Sequence, residues 1–195
     1  NRGNPTAYPI LQDDGTWREV DRTKELVGRF AEEGIEALIT VGGDGSLRIG
    51  DRLHQAGMRV IGVPKTIDND LDKTTATFGF DTAVDFASQC IDRLFTTATS
   101  HGRVMVVEVM GRGAGWIALH AGMAGGAHCI LIPEIPYHLE PLAETILQRD
   151  RSGARFTIVV VAEGATPVGG EASTLGKTVG QAPQLGGIGA KVAAR

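Results

Sequence analysis

Val41-Gly42-Gly43-Asp44-Gly45-Ser46 and, one short crossover later, Pro64-Lys65-Thr66-Ile67-Asp68-Asn69-Asp70 decide how this chain is read. The first stretch follows an apolar run, Ala37-Leu38-Ile39-Thr40-Val41, and opens a helix-like run from Leu47 to Ala56. The second follows Val60-Ile61-Gly62-Val63. Strand, helix and strand so connected make a right-handed crossover with parallel strands. Both loops then leave the carboxyl ends of neighbouring strands, the edge where open α/β sheets bind ligands.

The residue types at that edge name a chemistry. Glycines let the backbone approach a phosphate, and a helix start capped by Ser46 offers unpaired N–H groups to an anion. Asp44 and Asp70 are hard oxygen ligands of the kind magnesium accepts beside substrate phosphates. Asp68 is a further carboxylate, free to take a proton from a hydroxyl. Together they imply phosphoryl transfer from a magnesium nucleotide to an alcohol.

Bulk properties narrow the class. The chain has 195 residues, enough to bury a real core; it does not begin with Met and stops mid-pattern at Arg195, so it is read as a possible fragment. Its 27 glycines are about twice the usual share, which with plentiful apolar runs suits turn-rich α/β structure rather than disorder. A net charge of −4 argues against nucleic acid or an acidic membrane as partner. Cys90 and Cys129 fall in apolar runs and read as buried free thiols of a reducing compartment. No apolar run approaches a membrane span and no signal peptide is visible, so the expected location is cytoplasmic.

Along the chain, residues 1–20 read as irregular surface, and Asp21 as the cap of a helix that closes near Gly34. Leu71 to Gly79 is expected to be a loop over the site. Helices are expected from Asp81 to Ser100-His101-Gly102, over Trp116–Met123 and Leu142–Gln148, and from Gly189; strands over Val104–Val109, Cys129–Ile132 and Phe156–Ala162. Residues 165–187 are rich in Gly, Ser, Thr and Pro and read as mobile. Strands alternating with helices indicate α/β. Four candidate loops fall at strand carboxyl ends, after Val41, Val63, Val109 and Ala162, a coincidence that random turns would not produce.

Each motif has a plain alternative. A lone GGDG turn is as well explained by turn chemistry as by phosphate; the aspartate-rich loop one crossover away favours phosphate. Two acids flanking Asn69 after a buried strand are costly without a cation or donor to compensate them. Arg112, in a glycine-rich loop at a strand's carboxyl end, suits bidentate phosphate binding, whereas Arg103, before the same strand, reads from sequence alone as a surface cation. Glu163 ends a wholly apolar strand, which favours a ligand role. The five histidines show no metal spacing. Leu175-Gly176-Lys177-Thr178 imitates the end of a P-loop, but the required first glycine is Glu171; Gly187-Ile188-Gly189 is a weak echo of a dinucleotide fingerprint.

VGGDGS at 41–46, PKTIDND at 64–70, FGFDTA at 78–83 and VVEVMGRGAG at 106–115 closely resemble 6-phosphofructokinases, as do Ala124-Gly125-Gly126, Ile132-Pro133-Glu134 and Ala162-Glu163-Gly164. The resemblance runs from about Ala37 to Gly164 and implies ATP-dependent phosphorylation of fructose 6-phosphate to the 1,6-bisphosphate. By position it implies Asp68 as the base, Asp44 on magnesium with Asp70 near it, and Gly43, Asp44, Gly45 and Ser46 around the nucleotide. Thr66 and Arg112 would stabilise the transferring group; Met110, Gly111 and Glu163 would grip the sugar. Arg103 would reach the 6-phosphate across a subunit boundary, implying a homodimer or homotetramer. Arg2 loosely matches an arginine near the nucleotide phosphates.

The departures concern the donor and regulation. Lys65 is typical of pyrophosphate-using relatives and some ATP-using ones. Gly45 leaves room for the α-phosphate of ATP where pyrophosphate users usually carry aspartate. His128 stands where allosteric members often have an acidic effector residue. The family's N-terminal glycine-rich nucleotide loop and its C-terminal substrate histidine and arginines are not found in this sequence. The expectation is an α/β protein of two lobes, each a mainly parallel sheet sandwiched by helices, with 1–80 in a nucleotide-binding lobe and 81–195 in a sugar-phosphate lobe. The rivals are a pyrophosphate-dependent phosphotransferase, a lipid or NAD kinase sharing the GGDG turn, and a non-catalytic sugar-phosphate-binding or regulatory subunit.

Overall fold

The computed structural model describes residues 4–176 and 183–194. It divides into two compact units. One gathers the residues up to Thr66 with Leu71–Thr74; the other gathers Ile67–Asp70 with the residues from Thr75 onward.

In the first unit, β1 (Ala7–Leu11) and β2 (Trp17–Asp21) form an antiparallel hairpin where an irregular segment was expected. Its turn is local chemistry: Gly15 takes φ +80°, and the Asp14 carboxylate accepts from the Thr16 N–H at 2.9 Å. Helix α1 (Thr23–Glu32) follows, with Arg22 rather than Asp21 at the N-cap; Asp21 still accepts the Thr23 N–H at 2.8 Å. The crossover is present as β3 (Ala37–Gly42), α2 (Asp44–Gln55) and β4 (Arg59–Thr66). The two strands are parallel, with Ala37 opposite Arg59 and Gly42 opposite Pro64. Period-2 alternation sorts their side chains. Gly50 packs against Thr40 and Val60, and Leu47 against Gly62, so α2 covers that face; Ile39, Val41 and Ile61, of opposite parity, stay exposed.

The second unit is built on one parallel sheet. In chain order it holds β5 (Phe78–Gly79), α3 (Phe80–His101), β6 (Val104–Val109), α4 (Trp116–Ala124), β7 (Cys129–Leu131), α5 (Leu139–Arg151) and β8 (Thr157–Ala162). The short pair β9 (Thr174–Gly176) and β10 (Gln184–Leu185) and helix α6 (Ile188–Ala193) complete it. The sheet order is β6-β8-β7, all parallel. Every residue of the central strand β8 is buried, which explains its unbroken apolar run. Ile158, Val160 and Ala162 pack with Ile91 of α3 and Ala118 and Ala121 of α4. Val159 and Val161 pack on the other face with Leu142 of α5 and Ile188 and Val192 of α6. Each fully buried Val or Ile contributes about 1.5–3 kcal/mol. Helix α5 is longer at both ends than the expected 142–148, and begins ahead of Pro141, which a first turn tolerates. Within the segment expected to be mobile, the described part holds β9 and β10. Cys90 and Cys129 are free and half-buried, and burial pushes the Cys129 thiol up. Among the described residues no helix is long and apolar enough to cross a membrane.

Candidate active site

The first unit positions the glycine-rich turn. β3 runs through Gly42, and Gly43 is the N-cap of α2, so Ser46 lies inside the helix instead of capping it. The turn is this tight because side chains are missing where they would collide. A Cβ on Gly42 would lie 2.5 Å from the Ser46 side chain, while a Cβ on Gly43 would meet the Thr66 Cβ at an ordinary 3.6 Å. Gly43 and Thr66 are thus neighbours. Around Gly45 there is open space, with no atom within 4 Å of a Cβ built there. Asp44, in the first turn of α2, is exposed and pairs with Arg48 Nε at 3.0 Å. That partner escaped the sequence reading, although an Asp–Arg pair at i,i+4 is a legible signal. β4 continues to Thr66, so Pro64 and Lys65 belong to the strand and the second loop begins only at Ile67.

The second unit holds the rest. In the loop Ile67–Asp70, Asn69 sits in the left-handed region at φ +52°, a conformation asparagine tolerates. Its side-chain oxygen accepts the Thr77 N–H at 3.0 Å, which pins the loop. Asp68 is half-buried beside it and Asp70 is exposed.

The loop after β6 is tightly constrained. Gly111 is at φ +145° and Arg112 at φ +53°. The Gly111 and Arg112 N–H groups donate to the same oxygen, Glu163 Oε1, at 3.2 and 2.8 Å. Glu163 is 8% exposed, and these charge-assisted bonds are what makes a buried carboxylate tolerable there. A Cβ on Gly164 would stand 2.0 Å from the Arg112 carbonyl oxygen, so the loop rests directly on the exit of β8. The Arg112 side chain is exposed, and among the described residues it has no carboxylate in ion-pair range. Met110 is 60% exposed. Gly111, Arg112 and Glu163 are therefore brought together. Arg103 is not with them: it precedes β6 and Arg112 follows it, so a strand of roughly 20 Å separates the two.

Further carboxylates take up backbone groups that the sequence reading did not anticipate. Glu134 Oε1 accepts the Gly115 N–H at 2.8 Å. Glu108 accepts from Gly187 at 2.9 Å and Gly189 at 2.8 Å, so the fingerprint-like glycines are occupied by the chain's own carboxylate. Both bonds join distant residues, which local sequence cannot signal. His128 is likewise engaged: Nδ1 accepts the Ile158 N–H at 2.9 Å, and the ring lies edge-on to Phe156. Burial, with Arg149 nearby, holds its imidazole below the usual range. Arg2 and the Lys177-Thr178 pair lie outside the described residues.

The chain resembles known proteins over most of its length. The family model described as phosphofructokinase matches residues 11–192. The ATP-dependent 6-phosphofructokinase of Chloroflexus aurantiacus is 57% identical over 171 residues, covering 88% of this chain and 47% of that protein. ATP-dependent 6-phosphofructokinase 2 of Clostridium perfringens is 47% identical over 99% of this chain and 53% of its own length. The chain thus spans about half the length of the curated relatives it matches. Among solved structures, phosphofructokinase from Saccharomyces cerevisiae superposes with a TM-score of 0.69 at 36% identity, over 77% of this chain and 23% of that one. The pyrophosphate-dependent enzyme of Marinobacter aquaeolei gives 0.66 at 32%, over 74% of this chain and 41% of that one. With its parallel sheets, its glycine-rich turn at residues 42–46 and the Glu163-held arginine loop, the chain belongs to the phosphofructokinase family.

Proposed function

We propose that the protein to which this chain belongs transfers the γ-phosphoryl group of ATP to fructose 6-phosphate, giving fructose 1,6-bisphosphate. The observation that carries the proposal is the 57% identity to a relative named ATP-dependent 6-phosphofructokinase, over 88% of this chain. In the transfer, a sugar hydroxyl oxygen bonds to the γ-phosphorus, the bond to the β–γ bridging oxygen breaks, ADP leaves and Asp68 takes the hydroxyl proton. Thr66 and Arg112 stabilise charge on the moving phosphoryl group. Met110 and Gly111 hold the sugar. Glu163 grips the sugar with them, while its Oε1 accepts both loop amides. Gly43, Gly45 and Ser46 flank the nucleotide.

Magnesium suits the donor set. Among the described residues no three His, Cys, Asp or Glu side chains form a metal cage, and magnesium beside phosphates needs only one or two carboxylates. Asp44 and Asp70, both exposed hard oxygen donors, would hold it. It would supply charge neutralisation at the donor phosphates. In this reading residues 1–80 and 81–195 belong to nucleotide and sugar-phosphate lobes. Arg103, exposed at the far end of β6 from Arg112, serves a neighbouring subunit of a homodimer or homotetramer, and the enzyme works in cytoplasmic glycolysis. The engagement of His128 with Ile158 supports loss of the usual effector site.

Lys65 favours a second reading, pyrophosphate as donor. The open space at Gly45 and the ATP-dependent names of the more similar relatives favour ATP. Assaying the full-length protein with each donor side by side decides: turnover with ATP is expected, and turnover with pyrophosphate alone overturns the donor assignment.

A further inference from the structure

We propose that Glu134 is a positioning residue for Arg112 and so for the phosphoryl-transfer step, an inference that rests on the kinase reading above. β6 ends at Val109 and α4 begins at Trp116, so the arginine rides on a short arc between them. Arg112 holds a left-handed backbone, which is unfavourable for a non-glycine residue and persists only where its surroundings impose it. At the entrance of the arc, Glu163 holds the Gly111 and Arg112 N–H groups. In the middle, the Ala114 N–H closes a turn onto the Gly111 carbonyl at 3.0 Å. At the exit, Glu134 takes the Gly115 N–H at 2.8 Å.

Among the described residues, Glu134 is the side chain that takes a backbone N–H at that exit. Gly115 is the N-cap of α4 and has no side chain to cap with, and the first turn of α4 carries no acidic residue. Glu134, beyond β7 and 19 residues downstream, supplies the negative group that a helix start favours. The approach is close enough that only glycine fits: a Cβ on Gly115 would lie 2.6 Å from Glu134 Oε2 and 2.5 Å from the Ile132 Cβ. The arc is therefore held at both ends by carboxylates from different strand exits. The helix itself is anchored independently, through the buried residues Ile117, Ala118, Ala121 and Gly122. Removing the Glu134 carboxylate consequently frees the arc while leaving α4 docked, and the cost falls on the aim of Arg112.

The test uses the full-length protein with Glu134→Ala, Glu134→Gln, Arg112→Ala and the Glu134→Ala/Arg112→Ala double variant. Glu134→Ala should lower kcat about tenfold or more with KM for ATP little changed, because a misplacement near 1 Å is worth up to about 10²-fold. Glu134→Gln should stay within about threefold of wild type, since its amide oxygen still accepts the Gly115 N–H. In the Arg112→Ala background the Glu134→Ala loss should shrink to less than about twofold, because the effect runs through an arginine no longer there. Hydrogen exchange at the Gly115 and Arg112 amides should quicken in Glu134→Ala and not in Glu134→Gln. An undiminished loss in the Arg112→Ala background, or wild-type kcat in Glu134→Ala, overturns the proposal. If the wild-type protein phosphorylates no fructose 6-phosphate, the kinase reading falls; amide exchange then decides the positioning role, and unchanged exchange in Glu134→Ala overturns it.

Discussion

Replacing Gly164 with alanine puts a methyl group into the backbone of the arginine loop. The added Cβ would lie 2.0 Å from the Arg112 carbonyl oxygen and 3.2 Å from Pro133 Cγ. A carbon and a carbonyl oxygen rest at about 3.3–3.6 Å, so the loop must withdraw by more than roughly 1 Å. The Arg112 backbone on one side and the stiff Pro133 ring on the other leave no flexible side chain to absorb the shift. The Glu163 bonds to Gly111 and Arg112, at 3.2 and 2.8 Å, do not survive such a movement. Overpacking costs about 1–3 kcal/mol, and a hydrogen bond to a charged group about 1.5–3 kcal/mol. These terms overlap, and a net loss of about 3 kcal/mol is expected, which lowers Tm by about 6–12 °C in a unit of this size. Turnover should fall by up to about 10²-fold as Arg112 moves. The control is Gly113→Ala in the same loop, where no atom lies within 4 Å of the new Cβ; a change within about 0.5 kcal/mol is expected. Urea denaturation and the coupled kinase assay, run on full-length protein, read both quantities. A Gly164→Ala variant as stable and as active as Gly113→Ala refutes the claim that this loop is seated on the end of β8.

Two further outcomes follow from single side chains. Gly45→Asp should fold normally, given the open space at that position, but erode turnover with ATP by crowding and repelling its α-phosphate; equal stability with undiminished kcat/KM for ATP removes Gly45 as a donor determinant. His128 is held below its ordinary value, so the unfolded chain takes up the proton first on acidification. Its contribution to stability is full above about pH 6.5, the unfolded value, and is lost as pH falls through the lower native one. The stability difference between wild type and His128→Gln should therefore narrow from pH 7.5 to pH 5; a difference independent of pH contradicts the neutral, Ile158-bonded ring.

What was legible in the sequence was whatever is periodic or local. The apolar run at residues 158–162 is legible because both faces of β8 are covered. The crossover at residues 37–66 is legible because glycine and apolar runs mark its corners. The hairpin of β1 and β2 was missed: Pro9 and scattered charges mask its alternation, though Asp14-Gly15 is a hairpin-turn signal. Ser46 was misread as a cap because the helix starts two residues earlier, at Asp44, with a glycine at its N-cap. At the candidate site, residue types pointed to Arg112 and Glu163 separately. Their link runs through a carboxylate and backbone N–H groups 51 and 52 residues apart, and no local pattern encodes it.

The most direct measurement is the steady-state turnover of the full-length protein and its Asp68→Asn variant with fructose 6-phosphate and ATP, together with calorimetric binding of the sugar phosphate. A carboxylate that accepts the hydroxyl proton is worth about 10²–10⁴-fold, and the amide keeps its shape without its basicity. The account predicts a kcat reduced by that factor with sugar binding largely intact. Wild-type-like turnover in Asp68→Asn contradicts it.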